Sequence, residues 1–316
     1  MSIFSPMFRL IQLVLVSVAA ISKTTFSRGY ALLLGVLFVI GCVPSVYAYP
    51  QVLVQHRTDA DGTERLLTPV ARYKDAAGRT IDLVGAVHLA DAAYYRNLNR
   101  AFASRYDKVL YEMVDGDGLP EYLRLARKVK QGTATTAEKE KYETLTKTAT
   151  KKDSSAAAAL GRYYVLMSNM LQLHLQTELI DYSLENMVFA DMSSAEFAKA
   201  MAERGESWLT IVLQSLAEEQ SRSSSAWSFS RSAMRRELIR ALAASSVTTN
   251  AMQQGAIIVS RNERCFAVLD EQLASAPSGT RIAIFYGAMH LRDMHYRLLS
   301  RGFSLQGVQW LTAIRA

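Results

Sequence analysis

The sequence has two cysteines, Cys42 and Cys265. One lies in an apolar N-terminal stretch and the other in the C-terminal half, so a disulfide framework is excluded whatever the compartment. A zinc-finger site is excluded as well, because it needs clustered cysteine and histidine. No Cys-x-x-Cys-His motif occurs, which removes covalent haem. The chain also lacks a Gly-x-Ser-x-Gly elbow, a phosphate-cradling Gly-Lys-Ser/Thr loop, a His-Glu-x-x-His helix and the glycine fingerprint of dinucleotide sites. A dense Lys/Arg stripe with interleaved aromatics is missing too. The formal net charge is +7, but residues 1–48 hold Arg9, Lys23 and Arg28 and no acid, leaving 33 basic against 29 acidic residues in the rest. That balance is too mild to imply a nucleic-acid partner.

What is present is a short pattern written twice. Residues 81–84 form a β-branched apolar run that reads as a buried strand. It runs into Gly85-Ala86-Val87-His88-Leu89-Ala90-Asp91. Tyr94, Leu98, Ala101 and Phe102 then follow at helical spacing, and residues 109–111 form a second apolar run that ends at Glu112. Near the C-terminus, residues 281–286 form another apolar run leading into Gly287-Ala288-Met289-His290-Leu291-Arg292-Asp293. Both copies read Gly-Ala-x-His-Leu-x-Asp, and both continue into a helix and a further strand (residues 308–314 in the second). An internal repeat of this kind predicts two halves of one fold, each giving a histidine to a shared cleft. A histidine after one strand and a glutamate ending the next meet at one sheet edge, where α/β folds bind ligands.

Two imidazoles and a carboxylate suit a divalent ion such as zinc, manganese or cobalt. Three protein ligands leave a position for water, and a bound metal lowers that water's pKa and polarises a carbonyl. Glu112 fits two roles, third ligand or general base, and spacing does not separate them. Asp91 and Asp293 follow the histidines by three residues; helix capping is the default reading and orientation of the imidazoles the alternative. Arg261 is a candidate for binding a carboxylate or oxyanion, with Asn262 donating a hydrogen bond beside it. His56 and His174 read as structural or surface residues, and His295 does not share a helix face with His290.

Residues 51–79 read as an opening hairpin with a turn at Asp59-Ala60-Asp61-Gly62. Residues 119 to about 246 are helical in composition. Within them, residues 119–130 are amphipathic, 135–152 polar enough for an exposed helix or flap, and 154–182 a long apolar helix carrying His174. Ser193 and Glu196 form a capping signal for a helix over 195–203. Further helices are expected over 206–220 and 234–244, with a low-complexity joint at 221–225. Residues 256–260 regain strand character, and 266–273 read as a helix.

At the N-terminus, residues 7–22 and 30–48 each hold an apolar run. The second, preceded by Arg28, has the basic flank, apolar stretch and small residues of a secretory signal. Val39-Ile40-Gly41-Cys42 resembles a lipobox that would acylate Cys42, Val46-Tyr47-Ala48 resembles a signal-peptidase site, and an uncleaved anchor is the third outcome. In each case the body from Tyr49 is expected outside the cytoplasm, periplasmic or held at the membrane, the lipoprotein form included. The expected organisation is a signal or anchor over 1–48 and one domain over 49–316, with a helical insertion over about 119–246.

Gly85-Ala86-Val87-His88, Tyr111-Glu112, Arg261-Asn262 and Gly287-Ala288-Met289-His290 together resemble the TraB/PrgY/GumN family, which includes the Tiki proteases. The resemblance covers roughly residue 73 to the C-terminus. It implies an α+β fold in which two strand–helix–strand repeats form a central sheet with a large helical insertion between them, as in erythromycin-esterase and ChaN-like folds. It further implies a metal-dependent hydrolase, most simply a peptidase acting on peptides or protein N-termini. His88, Glu112 and His290 would match the metal site, with manganese or cobalt as the metal. The alternative is a protein that binds a peptide or small ligand, haem included, in the same cleft without cleaving it.

Overall fold

The computed structural model describes residues 53–114, 118–149, 156–206, 230–245 and 255–316. These all lie in one compact unit spanning Tyr49–Ala316. The expected signal or anchor with Cys42, the helix over 207–220 and the joint at 221–225 fall outside the described residues. Among the described residues no helix is long and apolar enough to cross a membrane.

The fold is mixed α+β, with helices around a central mixed sheet. The opening hairpin forms as expected: β1 (Gln55–Thr58) turns at Gly62 (φ 81°) into β2 (Glu64–Lys74). Two strands at the centre, β3 (Thr80–Ala86) and β8 (Arg281–Gly287), run parallel in register from Thr80 opposite Arg281 to Ala86 opposite Gly287. Both are buried almost end to end, as parallel strands covered on two faces must be. On the far side of β8 come β5 (Lys108–Tyr111) and then the edge strand β7 (Met187–Phe189), both parallel. On the other side β2 pairs antiparallel with β3, and β9 (Ser304–Arg315) pairs antiparallel with β2. The partial exposure along β9 marks it as the outer strand.

Helix α1 (Ala92–Arg105) follows the first histidine and buries Tyr94, Tyr95, Leu98 and Phe102, an apolar stripe at helical spacing. The expected helix over 119–130 is α2 (Leu119–Lys130), and the polar segment forms α3 (Thr136–Ala149). These two lie side by side, joined by Tyr122 stacked on Tyr142 with ring centroids 5.3 Å apart and by Glu138 paired to Arg124 and Lys128. Helix α4 (Ala156–Leu171) is shorter than its apolar sequence suggests. It stops where Gln172 takes a left-handed φ of 50°. His174 therefore sits not on a helix but on the exposed two-residue strand β6 (His174–Leu175), paired with β4 (Leu89–Ala90). A single turn, α5 (Gln176–Leu179), follows.

Helix α6 (Ser194–Glu203) carries the expected capping box, with the Ser193 hydroxyl accepting from the Glu196 N–H and Glu196 accepting from the Ser193 N–H. Helix α7 (Arg231–Ser245) lies over β2 through Ile239, fully buried, and an Arg240–Glu64 ion pair. The strand expected over 256–260 does not form. Instead Ile258 and Val259 direct their N–H groups back to the Gly255 carbonyl and open α8 (Val259–Ala274). β-branched residues favour strands when a neighbouring strand is available, and among the described residues no strand pairs with this segment. Helix α9 (Leu291–Ser300) buries Leu291, Met294, His295 and Leu298 against the sheet. The core is aromatic-rich, with Tyr73, Tyr95, Tyr286, Phe102, Phe266 and Phe285 all essentially inaccessible.

Candidate functional site

Because β3, β8 and β5 are parallel neighbours, their C-terminal ends deliver Val87–His88, Gly287–His290 and Glu112 to one edge. Gly85 allows this convergence. A Cβ there would stand 2.9 Å from Pro69 Cδ and 3.2 Å from Leu291 Cδ2. The glycine of the first copy is thus the contact surface for the leucine of the second.

Glu112 sits just beyond β5, and its carboxylate accepts the Gly287 N–H. Arg261 Nη2 lies 2.7 Å from Glu112 Oε1, and His290 Nε2 lies 3.5 Å from the same oxygen. Burial alone would raise the Glu112 pKa, but Arg261, His290, His88 and the Gly287 N–H outweigh it and hold it at about 2. A Cβ on Gly287 would come 3.1 Å from Glu112 Oε2, so this glycine admits the carboxylate.

His290 is 3% exposed and closes a one-turn 3₁₀ segment, Ala288–His290. Its Nδ1 is 2.6 Å from Asn262 Oδ1. The Asn262 amide is oriented by its other end, where Nδ2 donates to Asp293 Oδ2 at 2.8 Å and to the His290 carbonyl at 3.2 Å. With two acceptors fixing Nδ2, Oδ1 must face the imidazole, so Nδ1 carries the proton. Nε2 then presents a lone pair toward Glu112, the tautomer a metal ligand needs. Burial, with Arg261 and His88, pushes the His290 pKa down to about 4 against the pull of Glu112.

Arg261 is itself held from behind. Asp191, fully buried, takes its Nε at 3.0 Å and its Nη2 at 2.5 Å. The same carboxylate accepts the N–H groups of Met113 and Met192, both at 2.8 Å. Arg261 and Asn262, expected at the substrate, are 8% and 0% exposed, and their polar ends are turned to Asp191, Glu112, His290 and Asp293. Both occupy the first turn of α8, which is why the expected strand at 256–260 would have misplaced them.

His88 is exposed and lies on the bend between β3 and β4. Its carbonyl accepts the Gln176 N–H at 3.0 Å, and its ring meets the edge of Tyr164 at 5.5 Å. Its ring lies within electrostatic reach of both Glu112 and His290. Neither aspartate of the repeated motif caps its helix through its side chain. Asp91 binds Arg235 and the Arg315 N–H, whereas Asp293 holds Asn262 and Arg297. His56 pairs with Glu64 at 2.8 Å, and His295 faces inward with Nδ1 2.8 Å from the Tyr73 hydroxyl.

Among the described residues no group of three or more His, Cys, Asp or Glu side chains stands close enough to hold a metal ion. The donor chemistry nevertheless fits one. His290 Nε2 and Glu112 Oε1 are two acceptors facing each other across 3.5 Å. A cation would complete that pair, and Arg261 supplies positive charge to only one of its members. Sequence reading gave Asp191 no role at the site, because the capping signal that follows it at Ser193 accounts for the local pattern. Comparison with family models, with curated proteins and with solved structures returns no match.

Proposed function

We propose that the chain is a metal-dependent hydrolase of the TraB/PrgY/GumN type, acting on peptides or protein N-termini outside the cytoplasm. The observation that carries this reading is the buried His290 imidazole, fixed by Asn262 with its Nε2 lone pair aimed at Glu112. The repeated strand–helix halves and the helical insertion of that family are part of the proposal. So are export and the N-terminal anchor or lipidated Cys42.

His88, Glu112 and His290 would hold manganese, cobalt or zinc. When bound, such an ion acidifies water and polarises the scissile carbonyl. The chain's own residues do the rest. Asn262 and Asp293 keep His290 in one tautomer and one orientation. Asp191 holds Arg261, and Arg261 with the Gly287 N–H keeps Glu112 ionised and in place. An ionised, fixed carboxylate is suited to be ligand or proton acceptor and unsuited to donate a proton. The exposed position of His88 leaves one side of the site open to substrate.

The test is titration of the full chain with manganese, cobalt and zinc, wild type beside His290→Ala, followed by peptide cleavage with the metal that binds. Stoichiometric binding lost in the variant, with cleavage lost in parallel, supports the reading. Equal binding and cleavage in both would end it. A second reading is favoured by the engagement of both Glu112 oxygens, one by Arg261 and one by Gly287. A cleft so neutralised would bind a peptide without cutting it, and binding would then survive Glu112→Gln with no product by mass spectrometry.

A further inference from the structure

The edge strand β7 is open where the candidate site needs a substrate. Its pairing with β5 is fixed by Val109 N–H to Asn186 O at 2.8 Å and Ala190 N–H to Tyr111 O at 3.3 Å. Main-chain groups of alternate residues point to opposite edges of a strand. Asn186, Val188 and Ala190 therefore face β5, and Met187 and Phe189 face away from it. The Met187 N–H closes a turn on Leu184 O at 3.0 Å. Among the described residues, what remains on the outer edge is the Met187 carbonyl and both polar groups of Phe189. All three residues of the strand are half-buried, as an uncovered edge should be.

A cavity of about 580 Å3 lies against this strand, lined by Met187 and Phe189 but not by Val188. Its volume falls in the range of small-ligand sites. Tyr111 and Tyr182 give it an aromatic wall, with ring centroids 5.0 Å apart and Phe189 6.1 Å from Tyr111. Helix α2 adds Arg124 and Lys128, both already paired to Glu121 or Glu138, so the rim is close to neutral. The strand is held firmly: the Asn186 side chain donates to the Phe102 and Tyr106 carbonyls at the end of α1, both at 2.8 Å. It also leads into the site, since Tyr111 precedes Glu112 and β7 ends two residues before Asp191.

We infer that the outer edge of β7 is the docking strand for an extended peptide, which adds to the sheet and runs over the strand ends toward Glu112. Calling that peptide the substrate rests on the hydrolase reading; the docking itself does not. Three open main-chain groups match about three peptide residues at ~3.3 Å per residue. Recognition by main-chain pairing is tolerant of sequence, with an apolar or aromatic side chain preferred against Tyr111 and Tyr182.

The experiment is hydrogen exchange of the full chain, read at the Phe189 amide by fragmentation mass spectrometry. The probe is a mixture of amidated pentapeptides randomised at every position, half with free and half with acetylated N-termini. A second mixture carries methyl groups on its peptide nitrogens, which removes the donors a strand needs. Exchange at Phe189 should slow by about tenfold with the first mixture, the effect of gaining one hydrogen bond. It should do so in wild type and in Glu112→Gln alike, and not with the methylated mixture. No slowing with the first mixture, or equal slowing with the second, would overturn the inference. Product formation is followed in the same samples with manganese, cobalt or zinc. Slowing without product would leave the docking strand standing and remove the hydrolase reading.

Discussion

The two Gly-Ala-x-His-Leu-x-Asp segments are nearly identical as sequence and opposite as structure. In the second, His290 is buried, sits in a helical turn and is gripped by Asn262. In the first, His88 is exposed on a bend, and what holds that bend is backbone: Gln176 to the His88 carbonyl and the Tyr95 hydroxyl to the Val87 carbonyl. Asp293 works for its own histidine through Asn262, while Asp91 clamps Arg235 and the last strand. Even the following strands diverge. After α1 the chain returns parallel beside β8, but after α9 it crosses to run antiparallel beside β2. A local motif sets the turn and the histidine; neighbours decide whether that histidine is a fixed post or an open arm.

The largest test of this contrast removes each histidine in turn. Both substitutions, His88→Ala and His290→Ala, should abolish tight metal binding in titration calorimetry. Only His290→Ala should also cost about 1–3 kcal/mol in urea unfolding, because Asn262 Oδ1 is left buried and unmatched. His88→Ala should stay within about 0.5 kcal/mol of wild type. Equal destabilisation by the two would break the comparison.

A second test uses acid. Burial lowers the His290 pKa in the folded chain to about 4, below its unfolded value. The unfolded state then binds more protons between those values, so stability rises with pH there. The contribution is present above the unfolded pKa and is lost as pH falls from about 6.5 toward 4, on the order of 3 kcal/mol in total. Glu112, held at about 2, adds a loss in the same direction at lower pH. Urea unfolding of the metal-free chain at several pH values checks this, and a His290→Ala curve as steep as wild type between pH 6.5 and 4 would contradict it.

The motif glycines offer a third, smaller contrast. Gly85→Ala drives a Cβ into the rigid Pro69 ring at 2.9 Å and should cost about 1–3 kcal/mol. Gly287→Ala meets the Glu112 carboxylate at 3.1 Å instead, so it should perturb metal affinity more than stability. Thermal melts and metal titration of both variants separate the two effects.

The smallest expected difference lies in the aspartates. Asp293→Ala loosens Asn262 and should weaken metal binding by about 10–100-fold, the usual effect of disturbing a partner of a ligand. Asp91→Ala breaks a partly exposed ion pair and should cost about 1 kcal/mol or less, with metal affinity unchanged. Metal affinities that fall together would place both aspartates in the same role.

Much of this fold is legible in the sequence. The strands at 81–84, 109–111 and 281–286, the helix after His88 and the Ser193 cap all form within a few residues of their sequence signals. Periodicity and capping are local, so local sequence reveals them. The failures are at places where a distant partner decides. Residues 256–260 look like a strand but pair with none among the described residues, and they become the turn that opens α8. The helix expected through 182 breaks at Gln172, and the residues beyond it become β6, α5 and the unforeseen β7. A three-residue edge strand leaves too short a pattern to read.

The sequence by itself determined that two glycine–histidine turns and a glutamate would lie at strand ends, because strand length and turn chemistry are short-range properties. It also determined that cysteine chemistry plays no part in holding this body together. Only the tertiary structure decided that Arg261 faces Glu112 with Asp191 behind it, that Asn262 selects the His290 tautomer, and that one histidine is buried and the other exposed. Those outcomes depend on which strands become neighbours and which helix covers them. Those partners lie from 28 positions apart, for Asn262 and His290, to 149, for Glu112 and Arg261, separations at which no local pattern carries information.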